Sequence, residues 1–260
     1  MPDPTATPAT GFAPQELALL NGVSINHCVD GPVSAPPIAL VNGALTNLHF
    51  FTPVLPLLLP EFRLVRHDWR GSGCSGAGPR ERYDFAQYAD DLAALLDHLE
   101  IDRAVVCGVA YGARTAARFA LRHPDRLRGL ALFDVSLDQP VDQRLQREGN
   151  AEARRLREAA GLPVVEVDRR WFEHRDDKEA RRSLTAHVDR PDPTDEMRGV
   201  ACPTLVVCGR QDENLTQAER IAGLIPDARL EIMEMTGHGS VLSRPPLFGR
   251  LLADFAREAA

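Results

Sequence analysis

The chain has 260 residues, 44% hydrophobic and 26% charged, with a formal net charge of −7. That length suits one large domain burying about three quarters of its extended-chain surface. The composition excludes wholesale disorder, and the acidic balance argues against nucleic acid, which needs a clustered basic face. A small-molecule ligand fits better, and a homo-oligomer is compatible.

The opening MPDPTATPAT has neither a basic n-region nor an apolar h-region, so residues 1–14 read as a flexible tail rather than a signal peptide. ELALL and SINHCV flank Asn21-Gly22, a dipeptide suited to a type I′ turn, and predict a β-hairpin at a sheet edge. The most apolar stretch, FFTPVLPLLLP, is broken by Pro53, Pro56 and Pro60 and is too short to span a bilayer. Five cysteines, with no C-x-x-C pair, point away from a disulfide framework or zinc ribbon and toward a reducing, cytoplasmic setting.

Short, apolar, β-branched runs follow at Ile38 to Asn42, Arg63 to His67, Arg103 to Val109, Leu127 to Phe133, Thr204 to Gly209 and Arg229 to Glu234. These are strands covered on both faces. Between them DFAQYADDLAALLDHLE, TAARFALRHP and, at the end, PLFGRLLADFAREA carry apolar residues at helical spacing. Alternating strand and helix predicts an α/β domain with a mostly parallel sheet and right-handed crossovers. The rhythm breaks between residues 137 and 198, a charged stretch with helical periodicity and no strand pattern. It predicts a helical cap inserted between core segments 1–136 and 199–260.

In VVCGVAYGARTAARFAL a strand runs through Gly108-Val109-Ala110-Tyr111-Gly112 directly into a helix. This is the frame of a nucleophile elbow, G-x-Nu-x-G, whose glycines let a strained turn pack tightly around its central residue. Ala110 occupies that centre, and a methyl group cannot attack a carbonyl. Downstream, Asp212 in LVVCGRQDENL and His238 in MEMTGHGSVLSRP each fall just past a strand, where open α/β sheets build their sites. Asp134, after LRGLALF, is an alternative acid.

The segments LVNGALTNLHFF, HDWRGSGCSG, GVAYGARTAARFALRHPDRLRGLALFD, LVVCGRQDENL and GHGSVLSRPPLFGRLLADF resemble the α/β-hydrolase fold superfamily, in particular its esterases, enol-lactonases and C–C hydrolases, over roughly residues 17 to 258. The resemblance implies a cofactor-free hydrolase of small, largely apolar esters, lactones or activated C–C substrates. It implies an oxyanion hole formed by the backbone N–H groups of Ala44 and Tyr111, and Asn42 stands where the family usually has histidine. Asn42, Gly43, Trp69 and Arg70 become candidate pocket residues. A catalytic serine exchanged for alanine would give this sequence. So would a gene encoding alanine, for a non-hydrolytic His/Asp enzyme (a lyase, isomerase or cofactor-independent oxygenase) or a silent ligand-binding protein.

Two other motifs are weighed and set aside. Gly71-Ser72-Gly73-Cys74-Ser75-Gly76 matches the dinucleotide fingerprint, but Pro79 and a charged run separate it from the next helix. The histidines besides His238, at 27, 49, 67, 98, 123, 174 and 187, show no metal-ligand spacing, and no metal site is expected.

Overall fold

The computed structural model describes residues 13–59, 61–79, 82–137, 142–163, 165–184 and 194–259, so most of the N-terminal tail and His187 lie outside it. Eight strands form one sheet: β1 (Glu16–Leu20), β2 (Val23–Asp30), β3 (Pro37–Val41), β4 (Arg63–His67), β5 (Ala104–Val109), β6 (Leu127–Phe133), β7 (Thr204–Gly209) and β8 (Ala228–Met233). Their order is β1-β2-β4-β3-β5-β6-β7-β8. β2 pairs antiparallel with β1 and with β4, and every other pairing is parallel. The opening hairpin lies at the edge, as its turn predicts: Asn21 and Gly22 sit at φ 48° and 81°, the two positive values a type I′ turn demands.

Alternation along the strands explains the two cores. Ala39, Val41 and Val106 face the side covered by α2 (Phe85–His98), α3 (Tyr111–Arg122) and α6 (Leu215–Leu224). Ile38, Leu40, Val105 and Cys107 face α1 (Leu55–Leu58) and α7 (Pro245–Glu258). Each buried Val or Leu contributes about 1.5–3 kcal/mol, which favours two-sided cover and a nearly continuous apolar run. The broken apolar stretch supplies α1 and a preceding 3-10 turn, Leu48–Phe51, both packed into the second core.

Between β6 and β7 lies the helical insertion: α4 (Gln143–Ala159), a 3-10 turn at Arg169–Phe172, α5 (Asp177–Ser183) and a second 3-10 turn at Asp195–Gly199. Among the described residues there it contains no strand. Backbone contacts fasten it to the core. The Asn47 N–H donates to the Trp171 carbonyl at 2.9 Å, the Gly73 N–H to His174 Nδ1 at 2.9 Å, and Arg157 Nη1 to the Met235 carbonyl at 2.7 Å.

No helix begins at Gly76, and among the described residues the next α-helix starts at Phe85. The glycine-rich segment instead wraps the buried Asp68, whose carboxylate accepts the N–H groups of Leu48 (2.7 Å) and Cys74 (2.8 Å) and the Asn26 side chain (2.7 Å). All five cysteines are free thiols, and Cys107 and Cys208 are buried in strands where burial raises their pKa. No helix among the described residues is long and apolar enough to cross a membrane.

Candidate active site

The strand order reverses between β3 and β5, and a crevice at such a point opens at the carboxyl ends of the strands. The Gly43-Ala44 turn follows β3 there, and Ala110 follows β5. Ala110 sits at φ 52°, ψ −113°, a conformation that costs a residue with a Cβ about 1–3 kcal/mol. It is held by its N–H donating to the Phe133 carbonyl (2.8 Å) and its own carbonyl accepting from the Ala113 N–H (3.0 Å). The flanking glycines are sterically required. A Cβ on Gly112 would strike the carbonyl oxygens of Val41 and Asn42, and one on Gly108 the carbonyl of Gly112.

Among the described residues other than glycine, positive φ occurs at six positions. Four of them, Leu45, Ala110, Asp134 and Met235, lie in the loops at this end of the sheet. Clustered backbone strain of this kind marks a functional site.

His238 follows β8, and its Nδ1 faces Asp212 Oδ2 at 3.1 Å and Oδ1 at 3.3 Å. Asp212 follows β7, with its side chain fully buried and His238's 18% exposed. The Asn214 N–H donates to Asp212 Oδ1 at 3.0 Å and fixes the carboxylate. Burial alone would lower the His238 pKa. The Asp212 hydrogen bond and the charges of Asp212, Asp134 and Glu213 override it and raise it to about 9. For Asp212, burial is likewise outweighed by the His238 hydrogen bond and charge, so its pKa is lowered.

The alternative acid is spent elsewhere. Asp134 is fully buried, and its Oδ2 accepts the N–H groups of Gly239 (3.2 Å) and Ser240 (2.8 Å) and the Ser240 hydroxyl (2.9 Å). It anchors the loop that carries His238, while Asp212 meets the imidazole. Burial and the nearby Asp212 charge raise the Asp134 pKa.

Asp212, Glu213 and His238 also offer ligand atoms within 4.8 Å of one another, a geometry a metal ion could use. His238 Nδ1 is engaged by Asp212, however, and burial together with the Asp212 charge raises the Glu213 pKa to about 7. Such a carboxyl keeps its proton more readily than a good metal ligand does.

Ala110, Asp134 and His238 border a cavity of about 650 Å³. Gly43, Ala44, Leu45 and Thr46 line it from the β3 turn, Ala110, Tyr111 and Arg114 from the elbow and α3, and Asp134, Asn214 and His238 from the later strand ends. From the insertion come Gln143, Gln146 and Arg147 of α4, and Leu184.

Three candidate pocket residues are corrected. Trp69 is buried in the core, stacked on Tyr88 (5.6 Å between centroids) and on Tyr111 (4.9 Å), one layer behind the wall. Asn42 is fully buried, and its Nδ2 donates to the Thr46 carbonyl at 2.7 Å, which braces the turn carrying Ala44. Arg70 is fully buried and paired with Asp91 at 2.6 Å. Sequence reasoning missed Arg114 and Arg147. Arg114 lies four residues past Ala110, one helical turn along α3, which is a usable signal. Arg147 reaches the cavity only through the seating of α4, which no local pattern encodes.

Residues 36–198 match the family model described as alpha/beta hydrolase fold. The 3-oxoadipate enol-lactonase 2 of Acinetobacter baylyi is 25% identical, in an alignment covering 87% of this chain and 90% of that protein. The crystal structure of the enol-lactonase from Burkholderia xenovorans LB400 superposes with a TM-score of 0.76 at 29% identity, over 92% of this chain and 99% of that one. A hydrolase from Pseudomonas aeruginosa PA01 superposes with a TM-score of 0.77 at 26% identity, over 93% and 97%.

Proposed function

This chain belongs to the α/β-hydrolase fold family, and we propose that its site is that of a serine-type hydrolase of small esters or lactones in which Ala110 stands in place of the nucleophile. One observation carries the reading: a residue with no reactive group is held in a strained elbow, beside the same cavity that His238, paired with Asp212 behind it, borders.

With a hydroxyl at position 110, neutral His238 removes its proton as the oxygen attacks the substrate carbonyl. Asp212 orients the imidazole and stabilises the imidazolium, and the N–H groups of Ala44 and Tyr111 receive the developing oxyanion. The imidazolium then protonates the leaving group, and water, activated by the same histidine, releases the acyl group. With alanine in place the chain binds ligands without this attack.

The test is Ala110→Ser, assayed beside the parent on short acyl esters and lactones. The hydroxyl is expected to raise the rate at least roughly a hundredfold, well within a triad nucleophile's contribution. No gain on any member of the panel sinks the hydrolase reading.

A second reading rests on the alanine itself. If Ala110 is native, the His238–Asp212 pair transfers protons unaided, as in a lyase, an isomerase or a cofactor-independent oxygenase. Activity that vanishes with His238→Ala and does not rise with Ala110→Ser singles it out.

A further inference from the structure

Residues 170–175 of the insertion meet the core along a seam beside the turn that carries Ala44. The Asn47 side chain donates to the carbonyls of Arg170 (2.7 Å) and Glu173 (2.9 Å), and the Arg175 N–H donates to the Gly73 carbonyl at 2.7 Å. His174, half-buried, closes the seam. The Gly73 N–H donates to its Nδ1 at 2.9 Å, and its Nε2 lies 3.3 Å from the Leu45 carbonyl oxygen. A backbone N–H can only donate and a carbonyl can only accept, so the ring proton sits on Nε2. The imidazole thereby ties two core loops together from the insertion side.

The two loops differ in firmness. Gly73, at φ 52°, is packed so closely on the Asp68 carboxylate that a Cβ there would strike it, and Asp68 is itself fixed by the N–H groups of Leu48 and Cys74. Leu45 is the strained partner. Its φ of 54° is one a leucine keeps only where its surroundings over-determine it. From within the turn, Asn42 Nδ2 donates to the Thr46 carbonyl at 2.7 Å and the Thr46 hydroxyl to the Gly43 carbonyl at 2.8 Å. From outside, His174 clamps Leu45 against the firm Gly73 loop. Ala44, which lines the cavity, stands between Gly43 and Leu45, whereas His174 does not line it.

We propose that His174 is a positioning residue for the oxyanion hole: held by Gly73 and gripping the Leu45 carbonyl, it fixes the turn that presents the Ala44 N–H, so the seating of the insertion sets the rate at the sheet. The role given to the Ala44 N–H rests on the hydrolase reading, while the clamp rests on the two hydrogen bonds of the imidazole alone. Without the clamp Leu45 relaxes toward ordinary backbone angles and carries the neighbouring N–H away from the line of the developing oxyanion. A displacement of about 1 Å at such a donor is enough to cost on the order of a hundredfold in rate. Substrate binding, which does not depend on that line, changes little.

The experiment has two arms. In the chain with Ala110 unchanged, where no turnover is needed, ¹⁵N relaxation reads the backbone order of the Ala44 and Leu45 amides. His174→Ala is expected to lower it from about 0.85, the level of rigid backbone, to about 0.6 or below, the level of a mobile loop, with the Tyr111 amide unmoved. His174→Gln, whose amide can accept from Gly73 and donate to Leu45, should restore most of it. In the Ala110→Ser background, His174→Ala should lower kcat about thirtyfold and leave KM within about twofold, a loss confined to the transition state. It should also shrink the ratio of kcat for the fastest short acyl ester to kcat for its C=S analogue about tenfold, because the hole favours developing oxygen charge over sulfur. A folding defect alone would not move that ratio. Unchanged order at Ala44 and Leu45, or a fall in kcat with the ester-to-thionoester ratio unaltered, overturns the proposal. If the order falls but the Ala110→Ser form hydrolyses nothing, the hydrolase reading fails and the clamp stands; if that form is active and His174→Ala changes neither order nor ratio, the clamp fails and the hydrolase reading stands.

Discussion

At the carboxyl ends of β5, β7 and β8 each site residue is held by backbone with no slack. Ala110 is wedged between glycines that tolerate no Cβ, Asp212 is capped by the Asn214 N–H, and His238 rides on a loop anchored to Asp134. Across the cavity, α4 offers Gln143, Gln146 and Arg147 from a 17-residue helix with one buried side chain, Ala153. The contrast separates two tasks. Groups that must meet within a few tenths of an ångström are placed on the rigid sheet, and groups that only line the opposite wall of the cavity are placed on an element that can vary without disturbing it.

The sharpest way to break that division is to compare the two acids in the Ala110→Ser background. Asp212→Asn is expected to lower kcat roughly 10⁴-fold, because the imidazole loses the partner that fixes its tautomer and stabilises its charge. Asp134→Asn retains an acceptor for the Ser240 donors and should cost no more than about tenfold. Steady-state kinetics on one ester reads both. Equal losses would mean that the two carboxylates share the histidine and that the assignment by distance is wrong.

The pH profile sharpens the same comparison. His238 acts as a base only when neutral, and its pKa is raised to about 9. In Ala110→Ser, kcat/KM should therefore climb about tenfold per pH unit from pH 7 and level off near pH 9. Asp212→Asn removes the hydrogen bond and charge that raise this value, so the rise should move to lower pH even as the plateau falls. A profile flat from pH 7 to 9 would show that the histidine is neutral throughout.

The sheet end was legible in the sequence because its constraints are local. Gly108 and Gly112 signal a turn that excludes Cβ atoms, Asn21-Gly22 a turn with two positive φ values, and the position of Asp212 and His238 after apolar runs a convergence at strand ends. Two of the three misread residues were settled by partners distant in sequence. Trp69 is drawn inward by the rings of Tyr88 and Tyr111, and Arg70 by Asp91. Asn42 turns in toward Thr46, an equally buried contact that a motif comparison does not weigh. Arg147 could not be read at all, because nothing within α4 says which of its faces the core will meet.

That seating can be tested through two glycines. A Cβ on Gly149, within α4, would strike the Gln211 carbonyl oxygen. Gln211 has little room to retreat, since its N–H donates to the Thr236 carbonyl at 2.9 Å and its side chain accepts the Thr236 N–H at 3.0 Å. Gly223, in α6, has nothing within 4 Å of such a Cβ. Helix propensity alone favours alanine at both sites by about 1 kcal/mol or somewhat less. Gly223→Ala should therefore gain about 0.5–1 kcal/mol in urea unfolding. Gly149→Ala should lose about 1–3 kcal/mol, the usual range for forcing an extra carbon into a closed contact. The sign is what matters. Stabilisation at both positions would mean that α4 does not rest on the loop that carries Asp212, and the division between a rigid floor and an adjustable roof would lose the contact that joins them.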